Sequence, residues 1–246
     1  MADDGRGLKF GTVAEQYDRY RPIPPEGAAD LVGDLRGCDV LEVGAGTGKL
    51  TRFLLERGAN VSVIEPDDDM RKVLVRQSPE STVLSGRAES VPVADASFDI
   101  IISSSAWHWF VQPDATNEFA RVMRDNGMLH VWWNGFSRDV PWMAELTQMR
   151  EREGDVNRRP RGWRADLDPN GPFVDARDFT LHWELPRTAD EVVGYFGTYS
   201  GTIVAGDEFQ HTVEERVRAR LRELFGDGDV VLPMTLRGTI ARRRPR

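Results

Sequence analysis

The segment Val40–Thr51, VLEVGAGTGKLT, carries a short β-branched run into three glycines, Gly44, Gly46 and Gly48, and then into residues spaced as a helix. Glycine permits the sharp turn and lets a ligand approach backbone that a Cβ would cover. Two phosphate-binding patterns fail on particular letters. The pattern G-x-G-x-x-G meets Lys49 where its third glycine belongs, and the P-loop pattern meets Val43 at its first glycine and Leu50 at its hydroxyl. What remains is strand, glycine turn and helix, the unit from which a parallel α/β sheet is built.

The alternation continues on both sides. Ala28, Leu31, Val32 and Leu35 fall at helical spacing before the strand, and Leu50, Phe53 and Leu54 after it, until Gly58 ends the helix. Val61–Ile64, Thr82–Leu84 and Phe98–Ile102 read as further strands, with Met70, Val73 and Leu74 marking a helix between the first two. The unbroken Ile run of the third is that of a strand covered on both faces. Asp114 is placed to cap a helix with inner face Phe119, Val122 and Met123, and Asp125-Asn126-Gly127 turns the chain into a fifth strand, Met128–Trp133. Residues 25–135 therefore form the core of the domain.

After Asn134 the regular pattern stops. Residues 136–178 read as an inserted cap: a helix over Pro141–Glu153, then an irregular stretch, Gly154–Asp178, rich in Arg, Pro, Asp and Gly. Phe179–Leu185 and Val230–Arg237 are strand-like and flank helical segments Ala189–Phe196 and Val213–Phe225. Residues 179–246 thus complete the same domain, giving a doubly wound, mostly parallel seven-stranded α/β sheet with an antiparallel edge. The basic tail Ala241–Arg246 reads as a solvated end, and the lone cysteine, Cys38, as a small core residue.

With a formal net charge of -8 over 246 residues, the surface repels phosphate backbones, so no nucleic-acid partner is expected. No window approaches about 18 uninterrupted apolar residues, and MADDGRGLKF lacks a basic segment followed by an apolar one. A cytoplasmic protein with no membrane partner is expected; its oligomeric state is not legible. Serines at 103, 104 and 105 follow the Ile run where a carboxylate cluster would hold a metal, so no metal is expected.

Glu42, Gly44, Gly46 and Gly48 match the E-x-G-x-G-x-G signature letter for letter, with Ala45 inside the turn, and the chain resembles the class I S-adenosylmethionine-dependent methyltransferases. Glu65, at the end of the next strand and on the order of 20 residues beyond Gly44, is placed to accept both ribose hydroxyl hydrogens. The resemblance implies S-adenosylmethionine as cofactor and S-adenosylhomocysteine as product. It implies, too, that Pro66 and Met70 follow the ribose site, with Met70 packed on adenine. Ala88 and Glu89 in SGRAESVP would read the adenine edge, where Arg87 departs from the acidic residue often found, and Ser103 would contact the methionine end through its backbone. FGTVAEQYDRYRP, with Tyr17 and Arg21, is similar to a segment that covers the cofactor in the trans-aconitate methyltransferase group. Residues 1–24 are accordingly expected to fold over the site.

Methyl transfer is an in-line displacement, so the protein must align acceptor and methyl and exclude water. Near the expected methyl position stand Trp107, His108, Trp109 and Phe110. His108 is either a general base or a structural histidine, and Trp107 and Trp109 either wall an acceptor pocket or pack in the core. Arg161, Trp163, Arg164 and Phe173 in the irregular insert, and Tyr195 and Tyr199 further on, are candidates to close over the acceptor. The Asp/Asn-Pro-Pro-Tyr motif of amino-nitrogen methylation and a Pro-Cys nucleophile are both missing. The expected activity is O-methylation of a small molecule at a hydroxyl or carboxylate. The alternative is the same cofactor site used for scaffolding or for a non-methylating reaction such as cyclisation.

Overall fold

Val40, Leu41 and Val43 are almost wholly buried because the strand they belong to, β1 (Asp39–Val43), sits between two parallel neighbours, β2 (Asn60–Ile64) and β4 (Phe98–Ser104). In this computed structural model the described residues are 13–150 and 164–245. With β3 (Thr82–Leu84), β5 (Met123–Phe136), β6 (Phe173–Arg187) and β7 (Val230–Arg243), the seven strands run in the order β3-β2-β1-β4-β5-β7-β6. Strands β1 to β5 are parallel, while β7 is antiparallel to both β5 and β6. The strand order reverses between β1 and β4, and in such sheets ligands bind in the crevice outside the strand C-termini at that switch.

Helices α1 (Ala14–Tyr20), α2 (Ala29–Val32), α3 (Lys49–Leu55), α4 (Asp68–Gln77) and α5 (Asp114–Val122) accompany the parallel strands. One face of the sheet packs Phe53, Leu54 and Leu74, and the other packs Trp107, Phe119 and Val122. Pro113, not Asp114, occupies the cap position of α5; Asp114 lies in the first turn, where its charge still favours the helix N-terminus. Cys38 is half-buried, its Sγ 3.5 Å from the Asp34 carbonyl, rather than enclosed in the core.

The C-terminal part is more regular than its composition indicates. Strand β6 begins at Phe173, six residues before the expected point, across a register shift between Val174 and Arg177 in which Asp175 adopts φ 55°. Strand β7 runs into the basic tail: Ala241 pairs with Leu129, and Arg243 is buried with its Nε donating to the Ala120 carbonyl at 2.6 Å and its guanidinium against Asp125. Those partners remove the penalty that normally keeps such a tail in water. Helix α6 (Pro141–Gln148) stops short of the expected end.

Between β6 and β7 lie α7 (Ala189–Gly197), α8 (Ser200–Ala205) and α9 (Asp207–Phe225). Thr188 and Glu191 form a reciprocal capping box at the start of α7. Together with α6, these helices build a second core from Phe136, Leu146, Phe196, Val217, Leu221 and Met234. The segment expected as an inserted cap thus shares its core with α7 and α9, which follow β6.

Candidate functional site

A cavity of about 370 Å³ opens above the C-terminal ends of β1, β2, β4 and β5. Its floor is the glycine turn. Gly44 and Gly46 take φ of 74° and 58°, in the left-handed region that glycine enters without strain. A Cβ on Gly44 would lie 2.5 Å from the Ala106 Cβ, and one on Gly46 would point toward Tyr17 at 4.0 Å. Gly48 heads α3 and packs on α4, so it shapes the turn without lining the cavity. Ala45 is likewise buried in the core.

Glu65 reaches this floor from the end of β2. Its Oε2 accepts the Gly46 N–H at 2.7 Å and its Oε1 the Asp67 N–H at 2.9 Å. Each carboxylate oxygen has a second acceptor site, so two more hydrogens from the cavity can be bound. Burial pushes the Glu65 carboxyl above its ordinary range, while the two backbone N–H groups act in the opposite direction. Glu42 stands behind the turn, buried, accepting from Thr51 Oγ1 at 2.6 Å. Its carboxyl is pushed up to about 8 by burial, partly offset by that hydrogen bond. Glu42 supports the turn and does not line the cavity.

Asp67 caps α4 by accepting the N–H groups of Asp69 and Met70, each at 3.0 Å, which fixes Pro66 and Met70 along the wall. Ala88 and Glu89 continue that wall, Glu89 Oε1 accepting the Val111 N–H at 2.6 Å. Tyr17 packs on the cluster of Ala14, Met70 and Val73. Arg52 pairs with Asp18 at 2.7 Å, and Arg21 donates to the Thr198 hydroxyl at 2.8 Å and carbonyl at 3.0 Å. Through these contacts α1 is tied both to the glycine-turn helix α3 and to Thr198 at the end of α7.

The other half of the cavity differs from expectation in several residues. Ser103 is buried within β4 and Ser104 and Ser105 line the cavity in its place. Trp107 is a core residue, its ring 5.9 Å from Phe110 and 6.2 Å from Phe119, whereas Trp109 faces the cavity. His108 lines the cavity from an exposed position, its ring 4.6 Å from that of Trp109. Tyr195 is buried behind Tyr199, the two rings parallel within 7° at 5.7 Å, and only Tyr199 reaches the cavity. Phe173 is buried in β6, and Arg164 pairs with Asp178 at 3.9 Å, away from the cavity. Arg161 and Trp163 lie outside the described residues.

Sequence reasoning missed Trp133, Phe136, Arg138, Thr147 and Arg150, which complete the cavity. Trp133 ends the predicted fifth strand, where a parallel strand delivers residues to the crevice, and that signal was available; Phe136 lies three residues beyond the predicted end, on the part of β5 that the sequence pattern did not reveal. Arg138 and Arg150 flank α6 and carry no pattern of their own. Among the described residues, no group of three or more His, Cys, Asp or Glu gathers at metal-binding range, and no helix is long and apolar enough to cross a membrane.

The family model of a methyltransferase domain matches residues 41–131. An uncharacterized methyltransferase of Mycobacterium tuberculosis (strain ATCC 25618 / H37Rv) is 33% identical over 214 residues, covering 87% of this chain and 86% of that protein. An uncharacterized methyltransferase-like protein of Schizosaccharomyces pombe is 28% identical over 221 residues, covering 87% and 85%. Among solved structures, a candidate type II methyltransferase from Anaeromyxobacter dehalogenans superposes with a TM-score of 0.66 at 22% identity, covering 92% of this chain and all 100% of that one.

Proposed function

Because the chain belongs to the class I S-adenosylmethionine-dependent methyltransferases, we propose that it methylates an oxygen, hydroxyl or carboxylate, of a small-molecule acceptor. The observation that carries this reading is the division of one cavity into two unlike halves. One half has the glycine turn, Glu65, Met70 and Ala88; the other has Trp109, Trp133, Phe136 and Tyr199. A concave, largely aromatic chamber suits a small acceptor better than a polymer, and the net charge of -8 disfavours nucleic acid.

The residues present fit the cofactor. Gly44 and Gly46 present bare backbone to the cavity, and each Glu65 oxygen, already accepting one backbone N–H, has a further acceptor site that a ribose hydroxyl would fill. In this reading Met70 and Ala88 pack on adenine, Glu89 lies at its edge, and Tyr17 and Arg21 cover the methionine end from α1. When bound, S-adenosylmethionine supplies an electrophilic methyl on a sulfonium sulfur. Trp109, Trp133 and Phe136 exclude water from the acceptor, which strengthens every electrostatic contact inside. His108 takes the proton of an acceptor hydroxyl onto a ring nitrogen as that oxygen becomes nucleophilic. A carboxylate acceptor needs orientation alone.

The names of the relatives do not specify an acceptor. The similarity of residues 10–22 to the trans-aconitate methyltransferase group bears on the covering segment alone. The experiment is conversion of S-adenosylmethionine to S-adenosylhomocysteine in the presence of small hydroxyl and carboxyl compounds, with the methyl ether or ester identified by mass. Cofactor turnover on RNA or protein instead, with none on small molecules, refutes the reading.

A further inference from the structure

Arg87, Ala88 and Glu89 line the cofactor half of the cavity from a four-residue turn. The Ser90 N–H closes that turn by donating to the Arg87 carbonyl at 3.1 Å. The chain that follows it, Val91–Ser97, is fastened to α5 rather than to a strand. Arg121, in the last turn of α5, uses all five of its N–H donors there. Its Nε and one Nη2 hydrogen reach the two Glu118 oxygens at 2.8 and 2.7 Å, and the other Nη2 hydrogen reaches the Val91 carbonyl at 3.0 Å. Its Nη1 donates to the Val93 carbonyl at 3.0 Å and to Asp95 Oδ1 at 2.7 Å.

Glu118 Oε1 also accepts the Val91 N–H at 2.7 Å. Both peptide groups of Val91 are thus gripped, one by Glu118 and the other by Arg121. Backbone contacts continue the attachment: the Ala96 N–H donates to the Arg121 carbonyl at 3.0 Å and the Ser97 N–H to the Val122 carbonyl at 2.7 Å. Neither Arg121 nor Glu118 lines the cavity.

Holding the segment down does not require this arrangement, because the Val91 side chain is already buried in the core beside Phe119 and Val122. Apolar burial is non-directional, whereas a planar guanidinium with five partners fixes position and angle together. That precision matters one residue before Val91, where the turn faces the cavity. Reading the edge of a base by hydrogen bonds needs placement within about 0.5 Å.

We propose that Arg121, paired with Glu118, is a positioning residue that gives the cofactor site its selectivity for adenine, by fixing the turn from which Ala88 and Glu89 meet the base. The inference rests on the reading above in which those two residues lie at adenine, and adds the pair that holds them there.

The test compares two ligands of the full chain by calorimetry: S-adenosylhomocysteine, and S-inosylhomocysteine, in which a carbonyl replaces the 6-amino group and donor and acceptor are exchanged along the base edge. Wild type should bind the first about 10- to 100-fold more tightly, the worth of one or two such hydrogen bonds. In Arg121→Gln the preference should fall to about threefold or less, through loss of S-adenosylhomocysteine affinity, with S-inosylhomocysteine changed by no more than about threefold, because only base-edge hydrogen bonds are lost. Arg121→Lys should lose most of the preference as well, since a point charge with three donors cannot replace the fork. Glu118→Gln, a smaller change, should reduce it by an intermediate factor in a protein whose circular dichroism matches wild type. A preference kept in the folded Arg121 variants, or both ligands weakened by the same factor, overturns the proposal. If the Arg121 variants keep the preference while Glu89→Gln abolishes it, the adenine reading survives and the positioning role does not. No preference in wild type overturns the adenine reading and the proposal with it.

Discussion

The Glu65 carboxylate accepts the Gly46 N–H at 2.7 Å, joining the residue at the end of β2 to the glycine turn at the end of β1. One side chain thus positions the loop and, in the proposed reading, grips the ribose. Its burial raises the cost of charging it, and hydrogens donated by a ligand would repay that cost, so cofactor binding and loop order are coupled.

Glu65→Ala should therefore weaken S-adenosylmethionine binding by about 1.5–3 kcal/mol, the usual worth of hydrogen bonds to a charged acceptor. Calorimetry on the folded variant reads the change. Affinity equal to wild type would take Glu65 out of the site.

Gly44→Ala should be worse than its single methyl implies. The residue sits at φ 74°, and the new Cβ would meet the Ala106 Cβ at 2.5 Å, which cannot rotate away. Either β1 or the segment after β4 must move, and both line the cavity. Cofactor binding should become undetectable while circular dichroism stays near wild type; normal affinity would show that the turn tolerates displacement.

How far these features could be read from sequence differs along the chain. From Val40 to Phe110 each strand is a short apolar run ending in residues that face the crevice, so β1 to β4, Gly44, Gly46, Glu65 and Met70 were all legible. Beyond Asn134 the determinants are long-range. Phe173 and Val174 extend a strand only because β7 lies beside them, and Arg243 is buried only because Asp125 and the Ala120 carbonyl meet it. Strand alternation is equally blind to which of Ser103 and Ser104 lines the cavity, since that depends on how β4 sits in the sheet. Arg150 stands over the ring of Tyr199, 49 residues later in the sequence, and no local pattern encodes such a contact.

Glu42 predicts a pH dependence of stability. Its folded carboxyl is pushed up to about 8 against an ordinary 4.5, so between those values the unfolded chain gives up a proton that the folded protein keeps. Its contribution is fully present below about 4.5 and is lost as pH rises through about 8. Glu42→Gln has no such proton and keeps an oxygen to accept from Thr51. In urea titrations of cofactor-free protein at pH 5 and pH 8.5, wild type should lose more stability on going to the higher pH than the variant does. Parallel behaviour of the two would mean that Glu42 is ionised in the fold.

In the proposed reading, substitution of His108 distinguishes a hydroxyl acceptor from a carboxylate acceptor. It stands at the exposed rim of the acceptor half beside Trp109. A hydroxyl attacks only as its proton leaves, and a positioned neutral imidazole contributes roughly 10²–10⁴-fold to such a step. For a hydroxyl acceptor, His108→Asn should therefore lower kcat by that factor with cofactor affinity unchanged. The wild-type rate should rise with pH through an imidazole-like ionisation that the variant lacks. If the methylated group is instead a carboxylate, it is already ionised at neutral pH. His108→Asn should then retain most of the activity, and neither protein should show the step. Loss of turnover at every pH together with loss of acceptor binding would instead place His108 among the residues that shape the chamber, since a proton acceptor affects kcat far more than KM.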